Sequence, residues 1–275
     1  MARKALVVVA VCGLAGARAL AQEASASGAP AASERGAPSA GSVGALYRSA
    51  ELCGFPLMIR RELGEREPEL LARVLLHLEA DLEEIAHLIP APALAALRRT
   101  TIWVELQGAV IEGGMSGRGM CCHWSADWLE SAGLPREKAG GVEIVNARDF
   151  LDWRASQPYM TLHELAHAYH RMLGEDLPEI ISAYEHARAA GLYESVGRNT
   201  APVDETVRAY AATNHHEYFA ELSEAYFALN DFEPYTRAQL ERHDPEGFAM
   251  AERVWGMSEA EIAERIGAAG LVEHP

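Results

Sequence analysis

Residues 159–173 read YMTLHELAHAYHRML, and the rest of the chain is organised around them. Inside sits HELAH: His163, Glu164, Leu165, Ala166 and His167. Two histidines four apart stand one turn above each other on one helix face, so their ring nitrogens can converge on one metal ion. Glu164, beside the first of them, points near the same spot and can hold a water there. Met160, Leu162, Leu165, Ala166, Tyr169, Met172 and Leu173 make this helix apolar over much of its surface, which predicts burial. Pro158 precedes it as a start signal and Gly174 follows it as a stop.

HExxH is the arrangement of zinc peptidases, where the metal activates a water and the glutamate takes its proton. Alone it is weak. Random placement of 11 His and 32 Glu in 275 residues produces the pattern in about one such chain in twenty. The bland alternative is a helix with two partly buried histidines, so a second half of the site has to be found elsewhere.

Residues 210–227, YAATNHHEYFAELSEAYF, supply it. Asn214 is a good N-cap, and Glu217 stands where a capping-box carboxylate would sit. Glu217 and Glu221 also share one face, opposite Phe219, Leu222 and Phe227. That pair suits a zinc ligand plus a carboxylate that supports a ligand, and two His with one Glu is a catalytic zinc set with an open fourth position. His215 and His216 read as surface histidines at the helix start. His170 invites confusion with a third ligand. The metzincin pattern requires Gly at 170 and His at 173, but the chain has His170 and Leu173, so that class is excluded.

Tyr210, Thr213, Asn214, Glu217, Tyr218, Phe219, Ala220 and Glu221, downstream of HELAH, resemble the catalytic domain of the anthrax-lethal-factor-type zinc peptidases. These are gluzincins, with the Pro-Pro endopeptidases as relatives. The resemblance covers residues 159–173 and 210–228, with weaker support from the strand order before them. It implies His163, His167 and Glu217 as metal ligands and Glu164 as general base. It implies Tyr210 as the hydroxyl on the oxyanion and Glu221 as the carboxylate behind a ligand. Residues 174–208 match nothing in the family, and nothing matches the toxin's partner-binding domains, so a toxin role is not implied.

The first residues read as a leader. Arg3 and Lys4 precede an apolar run over residues 5–16, and Ala19-Leu20-Ala21 is a small-x-small cleavage site. A secretory signal peptide over residues 1–21 predicts a secreted or periplasmic protein. The leader carries Arg3, Lys4 and Arg18 and no acid, so a chain starting at Gln22 has a net charge of −19 against −16 for the whole. That acidity argues against nucleic acid or an anionic membrane as partner. Residues 22–44 are rich in Ala, Ser, Gly and Pro, a flexible linker. One domain over residues 45–275 remains. Outside the cell, Cys53 could pair with Cys121 or Cys122, leaving one thiol free. Cys121-Cys122-His123 is an alternative metal cluster, though its spacing matches no standard zinc pattern.

Strands are expected over residues 52–60, 101–107 and 141–147, and a long amphipathic helix over 67–89. Glycines from 108 to 119 suggest a surface loop. Residues 125–132 and 178–190 read as helices, and one or two covering helices follow residue 232, with Phe248 and Trp255 packed under the metal site. In zinc peptidases of this build an edge strand beside the active helix pairs with substrate backbone, and residues 142–146 are the candidate. An ordinary sheet strand is the competing reading.

The fold expectation is α+β and zincin-like: a small twisted mixed sheet, an HExxH helix, and a helical C-terminal half. The functional expectation is a secreted Zn2+-dependent metallopeptidase, an endopeptidase rather than an exopeptidase, with a peptide or protein substrate. No nucleic acid, no membrane after leader cleavage and no particular oligomeric state is implied. The rivals are a zinc hydrolase of a non-peptide amide and a catalytically silent zinc-stabilised binding module.

Overall fold

Five short strands form one mixed sheet in the order β1-β2-β3-β5-β4. They are β1 (Tyr47–Leu52), β2 (Phe55–Arg60), β3 (Ile102–Val104), β4 (Met120–Cys122) and β5 (Val142–Ile144). This computed structural model describes residues 43–108, 119–202 and 205–269. The expected leader, nearly all of the expected linker and residues 109–118 of the glycine-rich stretch lie outside the described residues. Residues 43 and 44 already belong to a first short helix, α1 (Val43–Leu46).

β1 and β2 form an antiparallel hairpin turned by Cys53 and Gly54, at φ of 52° and 84°. The single strand expected over residues 52–60 is therefore two. Both turn residues lie in the left-handed region, where glycine is at ease and cysteine is not. Phe55, Leu57 and Ile59 face the core from β2 as their alternation predicts. β2, β3 and β5 run parallel, and β4 closes the sheet antiparallel to β5. All three residues of β3 and of β5 are buried, as suits inner strands covered on both faces.

Position in the sheet corrects two expectations. Residues 142–144 are an inner strand, and of the two edge strands among the described residues, Tyr47–Leu52 and Met120–Cys122, it is Met120–Cys122 that lies against the HELAH helix. Cys53, Cys121 and Cys122 are all free. The turn carrying Cys53 leads into β2, three strand spacings from β4, or about 14 Å. A disulfide needs its Cα atoms within about 7 Å.

Twelve α-helices surround the sheet among the described residues. Before β3 come α2 (Arg61–Arg66), α3 (Pro68–Leu88) and α4 (Ala91–Leu97). Leu71, Val74, Leu75, Leu78, Leu82 and Ile85 form the buried stripe of α3. α5 (Ala126–Ser131) precedes β5, and α6 (Ala147–Trp153) follows it. Then come α7 (Met160–Leu173), α8 (Pro178–Ala190), α9 (His215–Phe227), α10 (Arg237–His243), α11 (Pro245–Trp255) and α12 (Glu259–Ala268). None of them is long and apolar enough to cross a membrane.

α7 is the central helix. Twelve of its residues are buried, from Met160 to Leu173. It lies against β4 and β5 on one side and against α9 on another. Beneath the α7–α9 pair, Trp255 of α11 stacks on Tyr169 and Phe219 at 4.5 and 5.6 Å, and its indole N–H donates to Ser223 Oγ at 3.0 Å. Trp255 thus supports the helix pair from below. Phe248 packs instead on Tyr226, at 5.4 Å, farther along α9. Asp244, wholly buried, accepts from the hydroxyls of Tyr193 and Tyr218 and from Gly247 N, tying the start of α11 to α9.

Candidate metal centre

The residues singled out in the two motifs come together between α7 and α9. His163 Nε2 lies 3.1 Å from His167 Nε2 and 3.2 Å from Glu217 Oε2, and His167 Nε2 lies 3.1 Å from the same oxygen. Asn214 caps α9 as anticipated, its Oδ1 accepting from His216 N and Glu217 N at 2.9 Å each. That cap fixes the backbone of Glu217 and leaves its carboxylate free to face α7. The two helices meet in the antiparallel sense, with His167 opposite Glu217 and His163, one turn earlier, opposite Glu224.

Three ligand-type atoms 3.1–3.2 Å apart fit a single small ion. Tetrahedral zinc with bonds of about 2.0–2.1 Å holds its ligand atoms about 3.3–3.4 Å apart. His163 Nδ1 lies 2.7 Å from Glu224 Oε1. A proton on Nδ1, donated to that carboxylate, leaves the lone pair on Nε2 facing the triangle, the usual arrangement of a metal-binding imidazole. The residue types, the spacing and the tautomer all fit zinc.

The carboxylate hydrogen-bonded to His163 is therefore Glu224, and Glu221, to which the sequence pattern pointed, lies beside it with a carboxylate oxygen within 4.8 Å of ligand-type atoms of His163 and Glu224. Glu221 sits one turn earlier on α9, almost wholly buried, and accepts from Asn230 Nδ2 at 3.1 Å. Burial pushes its carboxyl well above the usual range, with repulsion from Glu224 adding to the effect. Burial also raises Glu224, against the pull of its His163 hydrogen bond. For His163, burial opposes the proton, but hydrogen bonds to Glu217 and Glu224 outweigh it and raise the imidazole well above its ordinary value. The same two histidines hold Glu217 far below the carboxylate range in spite of its burial.

A cavity of about 470 Å³ opens on the triangle. Glu164 and Tyr210 both line it. Tyr210 begins a 3-10 turn, Tyr210–Ala212, whose end is held by Tyr184 Oη and Arg208 Nη2, both donating to Ala212 O. Its ring stacks 6.3 Å from that of His163. β4 forms another wall through Met120, Cys121 and Cys122. The thiols of Cys121 and Cys122 are pushed up by burial and by nearby carboxylates including Glu164, so they stay protonated. Arg198 gives the cavity a cation, held 4.7 Å over the Phe232 ring and 3.4 Å from Asp231.

Besides the triangle and the His163–Glu221–Glu224 group that adjoins it, two further donor clusters lie close by. Cys121, His123 and Glu143 form one. Its carboxylate is already partnered: Lys138 Nζ bonds Glu143 and Glu105 at 2.8 Å each, His123 Nε2 lies 2.5 Å from Glu143, and Arg60 lies 4.0 Å from Glu105. The Tyr47 hydroxyl completes this network on Glu105. Burial opposes the charge on Lys138, but the two carboxylates raise it above its ordinary value. This is a buried ion-pair network rather than a vacancy for a cation. The second cluster is His170, His215 and His216. His215 and His216, expected at the surface, are only partly exposed: both are half-buried and packed on His170 at 5.7 and 5.0 Å. Burial lowers His170 to about 2 and His216 to about 4, with neighbouring histidines adding to each shift. Trp124 bridges this cluster and the triangle, 4.3 Å from His216 and 6.0 Å from His167. Glu224, Trp124 and Arg198 had no motif to mark them; only Glu224, seven residues after Glu217 on the same helix face, carried a periodic signal. Compared with protein-family models, curated proteins and solved structures, the chain matches none.

Proposed function

We propose that the chain is a zinc-dependent metallopeptidase of gluzincin type, with a zincin-like fold, acting on peptide or protein substrates outside the cytoplasm. One observation carries the reading. His163 and His167, with Glu217 fifty residues beyond His167 in sequence, place three ligand atoms in a 3.1–3.2 Å triangle lining a cavity that Glu164 and Tyr210 also line. A structural zinc site has no use for a free carboxylate and a phenol at its open side.

Zinc held there would polarise a substrate carbonyl and lower the pKa of a water to about 7. The chain's own groups do the rest. Glu164, with no ligand role, takes the proton of the attacking water and passes it to the departing amide nitrogen. Tyr210 donates a hydrogen bond to the oxygen that gains negative charge. Glu224 holds the proton on His163 Nδ1 and so keeps Nε2 aimed at the ion. The Met120–Cys122 strand, on the cavity wall and at the sheet edge, is the segment suited to pairing with an extended peptide.

Hydrolysis of casein and of a mixed peptide library tests this, with zinc-loaded protein, chelated protein and Glu164→Gln. Cleavage lost on chelation, restored by zinc and absent in Glu164→Gln with its zinc retained is the expected result. Zinc binding without cleavage of any peptide would leave the amide hydrolase or the silent module standing and refute the peptidase.

A further inference from the structure

We infer that His170, His215 and His216 form a second site for a divalent metal, separate from the HELAH triangle and built from three imidazoles. His170 lies on α7, in the turn after His167. His215 and His216 open α9, just before Glu217. One ring nitrogen from each lies within 4.8 Å of the others. The His215 and His216 rings are 3.9 Å apart, and His170 stands 5.7 and 5.0 Å from them.

Unsatisfied polarity is what marks the cluster as a site. His170 is fully buried, and neither of its ring nitrogens has a hydrogen-bond partner. The Glu175 backbone lies near enough to act as a weak hydrogen-bond partner that favours the proton on His170, but it falls short of hydrogen-bond geometry, and its carbonyl already faces His215 Nε2 at 3.1 Å. His216 Nδ1 is buried and unpartnered as well. A histidine buried only for packing would ordinarily satisfy at least one ring nitrogen. His215 shows the complementary feature. Its Nε2 lies 3.1 Å from Glu175 O, so Nε2 carries the proton, and Nδ1 keeps a lone pair for a metal.

Packing and donor chemistry agree. The Trp124 ring lies 5.9 Å from His170 and 4.3 Å from His216, covering one side of the cluster. No carboxylate belongs to the set, so it suits zinc, copper, nickel or cobalt and not magnesium or calcium. Closing a 4.8 Å separation to the roughly 3.3 Å of tetrahedral ligation asks for about 1.5 Å of movement. His215 and His216 are half-buried and can provide it by rotating their side chains. A metal there would clamp the last turn of α7 to the first turn of α9. Those two turns flank the triangle, so the second ion would brace the helix pair that holds the first.

The test counts zinc. The full chain is stripped with chelator, reloaded with Zn2+, gel-filtered and assayed by mass spectrometry of the metal against protein concentration. Wild type should retain two zinc ions per chain. His215→Ala, chosen because His215 is only half-buried, should retain one and keep its circular dichroism. A His163→Ala/His167→Ala variant should also retain one, which separates this site from the triangle. Titration of the same proteins with Co2+ should give two spectral phases in wild type and one in each variant. One zinc in wild type, unchanged in His215→Ala and lost in His163→Ala/His167→Ala, would overturn the proposal while sparing the triangle. Two zinc ions that persist in both His215→Ala and His216→Ala would overturn it as well, because the second ion would then lie elsewhere.

Discussion

Glu224→Gln separates what the helix pattern suggests from what the packing does. Glu224 Oε1 accepts the Nδ1 proton of His163 at 2.7 Å, and the residue is 0 % exposed. Glutamine keeps the size and one acceptor oxygen but removes the charge. A hydrogen bond to a charged group contributes about 1.5–3 kcal/mol and a neutral one about 1 kcal/mol. The difference, about 0.5–2 kcal/mol, is about a two- to thirtyfold loss of zinc affinity. Its upper end overlaps the range of about 10–100-fold typical of groups that orient metal-binding histidines. The assay is competition with a chromophoric chelator at pH 7.5, in a His215→Ala background so that only the triangle is counted. Glu221→Gln, one turn earlier and bonded to Asn230, should change the affinity less than threefold. If Glu221→Gln weakens zinc tenfold and Glu224→Gln does not, the assignment of Glu224 as the partner of His163 is wrong.

Tyr210→Phe removes a single hydroxyl from the cavity wall. It should lower kcat about 10²–10³-fold with KM within a few-fold, as for other single oxyanion donors, measured by steady-state peptide cleavage. Lys138→Met leaves Glu105 and Glu143 buried without their cation and should destabilise the fold by about 3–5 kcal/mol at pH 7 in urea unfolding. In wild type, burial tends to raise Glu143, but hydrogen bonds to His123 and Lys138 leave it below its usual value. Its contribution is therefore present above its unfolded value near 4.5 and fades as the pH falls below that. The gap between Lys138→Met and wild type should shrink toward pH 4, and a gap constant from pH 7 to pH 4 would refute the ion-pair reading. Trp255→Ala opens a void beneath Tyr169 and Phe219 and should cost about 3–5 kcal/mol of stability, followed by thermal unfolding.

Strong periodicity made some elements legible, and its absence hid others. The stripe from Leu71 to Ile85 announces α3, and the alternation of Phe55, Leu57 and Ile59 announces β2. β1 was hidden because the residues of Tyr47–Leu52 between its buried ends are partly or fully exposed, and its turn uses Cys53, which is no turn signal. β4 is three residues long and has too little length to show a period. α6 did carry a sign. Asn146 caps it, its Oδ1 accepting from Arg148 N and Asp149 N at 2.9 and 3.3 Å, but the preceding VEI reads so plainly as strand that the expected strand, ending at 147, overruns the observed end at Ile144 by three residues. Sheet order is a matter of crossover geometry, so no local pattern marked Val142–Ile144 as an inner strand.

The site shows where helical periodicity stops being informative. From Glu217, Glu221 lies four residues on and Glu224 seven, at about 40° and −20° around a helix of 100° per residue. Both share the face of Glu217, so one helix alone cannot rank them. Axial reach decides. Glu224 lies about 10.5 Å beyond Glu217 and Glu221 about 6 Å, at 1.5 Å per residue. On α7, His163 lies about 6 Å before His167. If the helices ran exactly parallel in axis, Glu221 would meet His163. The rings of His163 and His167 share Glu217 through their Nε2 atoms, so the Nδ1 side of the His163 ring faces away from Glu217 and meets Glu224, farther along α9. The same convergence turns His170, on the next turn of α7, toward His215 and His216 on α9 rather than to solvent. A motif names residues on one helix; which of them become partners depends on the angle at which a second helix crosses it, and no pattern within either helix encodes that angle.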